Sequence, residues 1–444
     1  MLKVFRALYL ATRFFYGLCA LVLLFCCAFF WSFLLYPMFF VLLCFAAIVI
    51  IDMIWLFYKR ILIQGQRNTQ PLFSLADNNK VEITIRNLSN NFWNLEIIDE
   101  LPTQLQLRDF AIKTKIKPLA NEVLSYFIKP LSRGEYHFGK LNIYASTRLN
   151  LVKRRIEIPV AQMVPVYPSI IQMKKFELYT MSKITRLHGI KKMRRIGLSY
   201  EFEQIKDYVR GDDVRQINWK STGRNQRIMI NQYEDEKSQP IYTIIDKSRI
   251  MLMPFNGLSL MDYAINASLV ISNVALKKQD KVGLITFSDK IGSAIKADRK
   301  QGQLQSILNA LYHQKERDFE ANYELLYFGI KNLIKTRSLV FLYANFESQY
   351  GLDRVLPILR SINKQHLLIV VFFENTELEN ESIKEVNSLK GIYSQAIVLQ
   401  TLNEKKAIAQ KLNNIGIQTI LTKPEDLTIN SVNKYLEIKS RGLI

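Results

Sequence analysis

From Phe14 to Tyr58 the chain is almost continuously apolar, and Asp52 is the one acidic residue within it. No other feature restricts the accessible folds as much. A helix needs about 20 apolar residues to cross a bilayer core, so this run is long enough for two. Tyr36-Pro37 breaks it, because proline lacks a donor and turns the residue before it away from helix. The expected spans are Phe14–Leu35 and Met38–Tyr58, and the short connection makes them an antiparallel hairpin. A cleavable signal peptide does not fit the length, and no small-residue cleavage site precedes a polar start. Lys3, Arg6 and Arg13 flank the first span, Lys59, Arg60 and Arg67 follow the second, and the tip between them is uncharged. The positive-inside rule then puts both ends, and the soluble remainder, on the cytoplasmic side of the cell inner membrane. Trp31 and Trp55 suit interfacial positions.

Cys19, Cys26, Cys27 and Cys44 all lie in the apolar run, leaving no cysteine for a disulfide framework or thiolate site elsewhere. His137, His188, His313 and His366 are scattered without metal-ligand spacing. The 444 residues carry a formal net charge of +21, which suits anionic lipid, nucleic acid or an acidic partner. Because the basic residues are spread along the chain, a membrane or surface-charge role is favoured over nucleic-acid binding. One stretch gathers Lys183, Arg186, Lys191, Lys192, Arg194 and Arg195 with no acid among them. It reads equally as a solvated basic face and as a contact for anionic headgroups or an acidic partner.

Beyond the hairpin, assigned to residues 1–62, the hydrophobic period changes to two. Val81-Glu82-Ile83-Thr84-Ile85 alternates and is followed by the turn cluster Asn87–Asn91. Further strands are expected near Leu95–Ile98, Ala120–Ile128, Gly134–Tyr144 and Arg155–Val160. Residues 63–170 therefore read as an antiparallel β-sandwich of immunoglobulin-like architecture, a spacer or scaffold. After Pro240 apolar strands alternate with amphipathic helices. Strands are expected at Ile241–Ile245, Val282–Phe287, Ser338–Tyr343 and His366–Phe373, with a weaker one near Ile392–Leu399. Helices are expected at Leu258–Leu276, Gln301–Tyr312, Tyr323–Ile334, Leu352–Ile362 and Glu404–Leu412. Residues 241–444 thus form an α/β domain with a mostly parallel, doubly wound sheet covered on both faces.

Such sheets bind ligands beyond the carboxyl ends of their strands, at the switch point. Asp246 follows the first strand directly, and with Ser248 it could hold a hard cation such as Mg²⁺. The simpler alternative is an aspartate capping the turn after its strand. Upstream, within the linker 171–240, a short amphipathic helix is expected from the N-cap Ser199 to the terminating Gly211, with Phe202, Ile205 and Val209 on one face. Asp212 and Asp213 then cap the next turn or pair with Arg210 and Arg215, and Trp219 is read as a buried anchor.

Glu201-Phe202, Asp207-Tyr208, Arg210-Gly211-Asp212-Asp213, Arg215, Ile217, Trp219, Arg224 and Asp246-x-Ser248-Arg249-x-Met251 together resemble the signature of the bacterial domain-of-unknown-function 58 family. Leu101-Pro102, Arg133–Gly139 and Val166-Tyr167-Pro168 resemble its earlier segment. The resemblance implies a membrane hairpin, a β-sandwich and a von Willebrand factor A-like domain. It further implies a non-enzymatic role in protein assembly, with a MoxR-type AAA+ ATPase as partner. Von Willebrand A domains hold a cation through Asp-x-Ser-x-Ser, a Thr and a second Asp. In this chain Ile250 stands at the second serine, Ala321-Asn322 where the threonine belongs, and Asn345 at the second aspartate. The metal set implied is thus the degenerate trio Asp246, Ser248 and Asn345, and no cofactor is expected.

A membrane-anchored scaffold or adaptor that binds protein through the α/β domain is the function expected from these features. A metal-dependent hydrolase at the strand edge near Asp246 would need a general base, and no His or Glu is placed for it. Nucleic-acid binding through the basic surface is the other alternative.

Overall fold

The structure, a computed structural model, describes residues 7–30, 33, 35–58, 61–181, 201–209, 212, 214–234, 238–378 and 388–443. The chain divides into two compact units, Met1–Tyr167 and Pro168–Ile444.

The first unit opens with a strand the sequence did not suggest, β1 (Leu8–Leu10), followed by helices α1 (Thr12–Phe30) and α2 (Leu35–Tyr58). Both helices are long and apolar enough to cross a membrane. The two helices are described as far as Phe30 and from Leu35, so Tyr36-Pro37 lies inside the second one. Pro37 lies in the first turn of α2, where a helix makes no use of the missing N–H.

Ten further strands follow: β2 (Ile63–Thr69), β3 (Phe73–Ser74), β4 (Asn79–Asn87), β5 (Trp93–Asp99), β6 (Ile112–Ile116), β7 (Asn121–Ile128), β8 (Gly134–Phe138), β9 (Leu141–Ser146), β10 (Val152–Ile158) and β11 (Gln162–Tyr167). They form sheets β1-β10-β9-β5-β6, β2-β4-β7 and β3-β11-β8, antiparallel except for the β3–β11 pair. The expected strand Gly134–Tyr144 is two, because the chain turns at Gly139-Lys140 against Glu100. Alternation works as it should: Val81, Ile83 and Ile85 of β4 are buried while Lys80 and Arg86 are exposed.

The apolar helices are built into this unit. Leu8–Leu10 pairs with Val152–Arg154, and the Ala11 N–H bonds Leu151 O at 2.9 Å. Asp52 of α2 is buried and accepts hydrogen bonds from the Thr147 hydroxyl (2.5 Å) and the Val152 N–H (3.2 Å). A carboxylate in an apolar helix is costly unless paired, and here a β-domain loop supplies the partners.

The second unit begins with α3 (Ile170–Met181), which lies within the region read as linker. Ser169 N–H bonds the Asn266 side chain at 2.9 Å and Glu177 pairs with Lys277 at 3.0 Å, so α3 is packed on the α/β core. Next comes a hairpin of β12 (Glu201–Asp207) and β13 (Met229–Glu234), with α4 (Trp219–Asn225) between them. The amphipathic helix expected before the acidic turn is therefore a strand. A bulge at Glu203 explains the misreading: Phe202 and Ile205, three apart, oppose Tyr233 and Asn231, two apart. A bulged strand thereby reproduces the i, i+3 spacing of a helix.

The core strands are β14 (Pro240–Asp246), β17 (Lys281–Phe287), β18 (Ile291–Asp298), β19 (Leu339–Tyr343), β20 (Leu367–Phe373) and β21 (Gln418–Thr422), after the small pair β15 (Pro254–Phe255) and β16 (Leu258–Ser259). The six-stranded sheet runs β18-β17-β14-β19-β20-β21, parallel throughout except for edge strand β18. Helices are α5 (Leu260–Lys277), α6 (Gln303–Tyr312), α7 (Tyr323–Leu333), α8 (Gln349–Gln365), α9 (Leu389–Asn414) and α10 (Leu427–Ser440). Tyr242, Ile244, Val340, Leu342, Val370 and Phe372 face residues of α7, α8 and α9 in one core. On the other face, Thr243 takes the Ser268 hydroxyl of α5 at 2.8 Å. Gly283 is required here, since a Cβ would collide with the Tyr242 ring and the Ile295 carbonyl.

The strand expected near Ile392–Leu399 is part of the 26-residue helix α9, capped by Ser388. Leu389, Ile392, Tyr393, Ala396 and Ile397 recur at helical spacing, which outweighs the strand preference of their branched and aromatic side chains. The last strand of the sheet is β21 instead.

Candidate functional site

The sheet's carboxyl edge carries the site. Strand β14 is its first strand in sequence and neighbours both β17 and β19, so the chain's switch point lies at Asp246. Register sets Ile245 opposite Tyr343, bringing Asp246 and Ser248 to the same edge as Asn345.

Asp246 is buried. Its carboxylate accepts the Ser248 N–H at 2.8 Å, the turn-capping arrangement that follows many strands. Burial pushes its carboxyl up to about 6, against a smaller opposing effect of Ser248. The Tyr323 phenol, also buried, is raised by desolvation and then by the Asp246 charge, so the two groups are near one another. Ile250 lies in the 3-10 turn Arg249–Leu252. Asn322, where a threonine would be needed, caps α7 by accepting the Leu325 N–H at 3.0 Å.

Asn345 is engaged elsewhere. The buried Lys405 of α9 places its ammonium 2.8 Å from Asn345 Oδ1 and 2.8 Å from the Phe373 carbonyl. Desolvation pushes this ammonium down to about 8, partly offset by the Glu347 and Glu374 charges. Sequence reasoning missed Lys405, which lies sixty positions from Asn345 and inside an unremarkable Glu-Lys-Lys run.

Around this centre the rim is aromatic and charged. Phe319 is exposed and its carbonyl accepts the Arg249 N–H at 3.0 Å, while the Arg317 guanidinium stacks over its ring and pairs with Asp289 at 3.0 Å. Tyr350, in the first turn of α8, is 88% exposed. Arg354 and Glu320 bridge the two segments at 3.3 Å. Lys247 is held below its ordinary value by burial and then by Arg317.

In the signature segment, Asp212 accepts the Val209 N–H (3.0 Å) and pairs with Lys206 (3.1 Å); the expected partners Arg210 and the Arg215 side chain lie outside the described residues. Its carboxyl is lowered by the Val209 N–H and then by Lys206. Trp219 is 73% exposed and so is no buried anchor. It is the first residue of a helix capped by Asn218. Gly211, Asp213, Lys183, Arg186, Lys191, Lys192, Arg194 and Arg195 lie outside the described residues, as does the side chain of Arg215.

Residues 204–383 match the family model described as "Protein of unknown function DUF58". That match spans the signature hairpin and most of the α/β sheet. No curated protein sequence matches the chain. Among solved structures, the conserved hypothetical protein BatB from Bacteroides thetaiotaomicron is 12% identical, covering 46% of this chain and 100% of its own, with a TM-score of 0.31. The CARDB domain of a Pyrococcus furiosus protein is 12% identical over 24% of this chain and 93% of its own, at a TM-score of 0.18. Alpha-2-macroglobulin from Escherichia coli is 14% identical over 24% of this chain and 17% of its own, at 0.20.

Proposed function

We propose that the chain is a membrane-anchored, non-enzymatic adaptor that docks a partner protein on the carboxyl edge of its six-stranded sheet. In this reading the second unit is a von Willebrand factor A-like domain and the β-rich part an immunoglobulin-like spacer. The hairpin crosses the inner membrane twice and leaves both soluble parts in the cytoplasm. The partner is a MoxR-type AAA+ ATPase or its client, as the family signature implies.

The observation that carries the reading is the ammonium of Lys405 bound to Asn345 Oδ1. A divalent cation at this edge would need that oxygen, several further oxygen donors and more negative charge. Here the second charge is an amide, the second hydroxyl is Ile250, and the remaining side chain caps a helix. That donor set does not fit a resident metal, so docking proceeds without one. Exposed Phe319 and Tyr350, flanked by Arg317 and Arg354, provide the aromatic and arginine anchors that dominate protein interfaces.

Cross-linking and co-purification from a detergent extract test this. The expected partner is recovered equally with and without chelator, and Phe319→Ala with Tyr350→Ala weakens recovery roughly tenfold or more. Chelator-sensitive recovery, or micromolar Mg²⁺ binding abolished by Asp246→Ala, would replace this reading with a metal-dependent one.

A further inference from the structure

The closed end of the β12–β13 hairpin combines two properties. Four large apolar side chains there are exposed: Val209 at 63%, Val214 at 62%, Trp219 at 73% and Ile228 at 47%. The backbone draws them to one end of the hairpin. Tyr208 N–H bonds Ile228 O at 2.8 Å, Asn218 N–H bonds Met229 O at 2.8 Å, and Ile217 bridges to Ile230. From Val214 to Tyr233 the sequence holds Lys220, Arg224 and Arg227 and no acid, and Asp212, between Val209 and Val214, is paired with Lys206. Lys220, Arg224 and Arg227 are exposed; Arg227 has a distant partner in Asp207, at 4.0 Å.

We propose that this hairpin end docks on the surface of a bilayer containing anionic lipid. Tryptophan and aliphatic side chains beside lysine and arginine match the two zones such a surface offers. The ring and the aliphatic groups enter the interfacial layer, and the cations remain at the phosphates. Each basic group near an anionic surface contributes on the order of 1 kcal/mol, about fivefold in the docked-to-undocked ratio. A free domain would gain little from so few groups. This chain also carries two helices able to cross a membrane, so docking is a second, intramolecular contact and needs little intrinsic affinity.

Nucleic acid is the weaker occupant, because Val209, Val214 and Ile228 offer nothing to phosphates and do not stack on bases. An acidic protein would use the same cations, but the membrane is already at hand. None of the sheet-edge residues is involved, so this proposal and the adaptor reading fail separately.

The test uses the full chain in nanodiscs with brominated acyl chains, of phosphatidylcholine alone or with phosphatidylglycerol. The emission of Trp219 is isolated as the difference between the native chain and Trp219→Phe. That emission is expected to be quenched in the anionic discs and restored by salt. Lys220→Gln and Arg224→Gln, at exposed positions, should each lower the docked-to-undocked ratio about fivefold with an unchanged circular dichroism spectrum. Absence of Trp219-dependent quenching in the anionic discs overturns the proposal. So does equal quenching in both discs that ignores the charge variants. A response to duplex DNA or polyglutamate, with none to lipid, reassigns the surface to nucleic acid or to an acidic protein.

Discussion

In the β-rich unit the buried Asp99 receives the Arg67 guanidinium on both carboxylate oxygens and the Tyr126 hydroxyl at 2.5 Å. In the α/β unit the buried Asp246 receives a backbone N–H of its own turn and sits beside a phenol. The first carboxylate has an opposite charge in contact with it, and Arg67 is further tied to the Val160 and Gly139 carbonyls. The second is buried by packing alone, and its carboxyl is raised to about 6. A satisfied buried pair is architecture, whereas an uncompensated acid at the switch point of a sheet marks the place where a fold keeps or has lost a binding role. Lys405 repeats the contrast at the same edge. It is a buried cation held by the neutral oxygens of Asn345 and Phe373, with the Glu347 and Glu374 charges as a secondary influence.

Four substitutions test that difference, beginning with the largest effect. Arg67→Leu leaves Asp99 buried without its counter-charge and should cost about 3–5 kcal/mol in denaturant unfolding of the detergent-solubilised chain. A small effect would place Asp99 in the same class as Asp246.

Lys405 comes next. Its folded value of about 8 lies below the unfolded value of roughly 10.4, so the native state binds the proton less tightly. Its penalty is complete below about pH 8 and is relieved as pH rises toward roughly 10.4, by about 3 kcal/mol. Lys405→Met should abolish that alkaline gain; an unchanged slope would show that the ammonium is solvated.

For Asp246 the sign is opposite. Its folded value of about 6 exceeds the unfolded value of roughly 3.9, so its contribution is fully present below pH ~4 and is lost between about 4 and 6. Asp246→Asn should therefore stabilise the chain by about 3 kcal/mol at pH 7 and hardly at all at pH ~4. Destabilisation at pH 7 would mean that the charge has a partner after all. Smallest of all, Trp219→Ala should change stability by less than about 0.5 kcal/mol, because its side chain is exposed. A larger loss would restore it as an anchor.

Much of this was written in local pattern. The apolar run marked the two long helices, alternation marked β4, and the bare apolar runs marked β14, β17, β19 and β20. Asp246 was legible as a strand-end acid because its position follows directly from where β14 stops. Where the reading failed, another pattern imitated the expected one. The bulge at Glu203 gave a strand the spacing of a helix, and branched residues hid the start of α9. Pro37 marked a helix's first turn and not its end.

The sequence by itself determined the apolar helices, the change from period-two strands to alternating strands and helices, and the residues Ile250 and Asn345 near Asp246 that are poor cation ligands. Only the tertiary structure decided that Asp52 is held by Thr147 and Val152, and that Asn345 is held by Lys405. These partners lie tens of positions apart in the chain. Local propensity carries no information about such pairs, and packing brings them together to satisfy polar groups taken out of water.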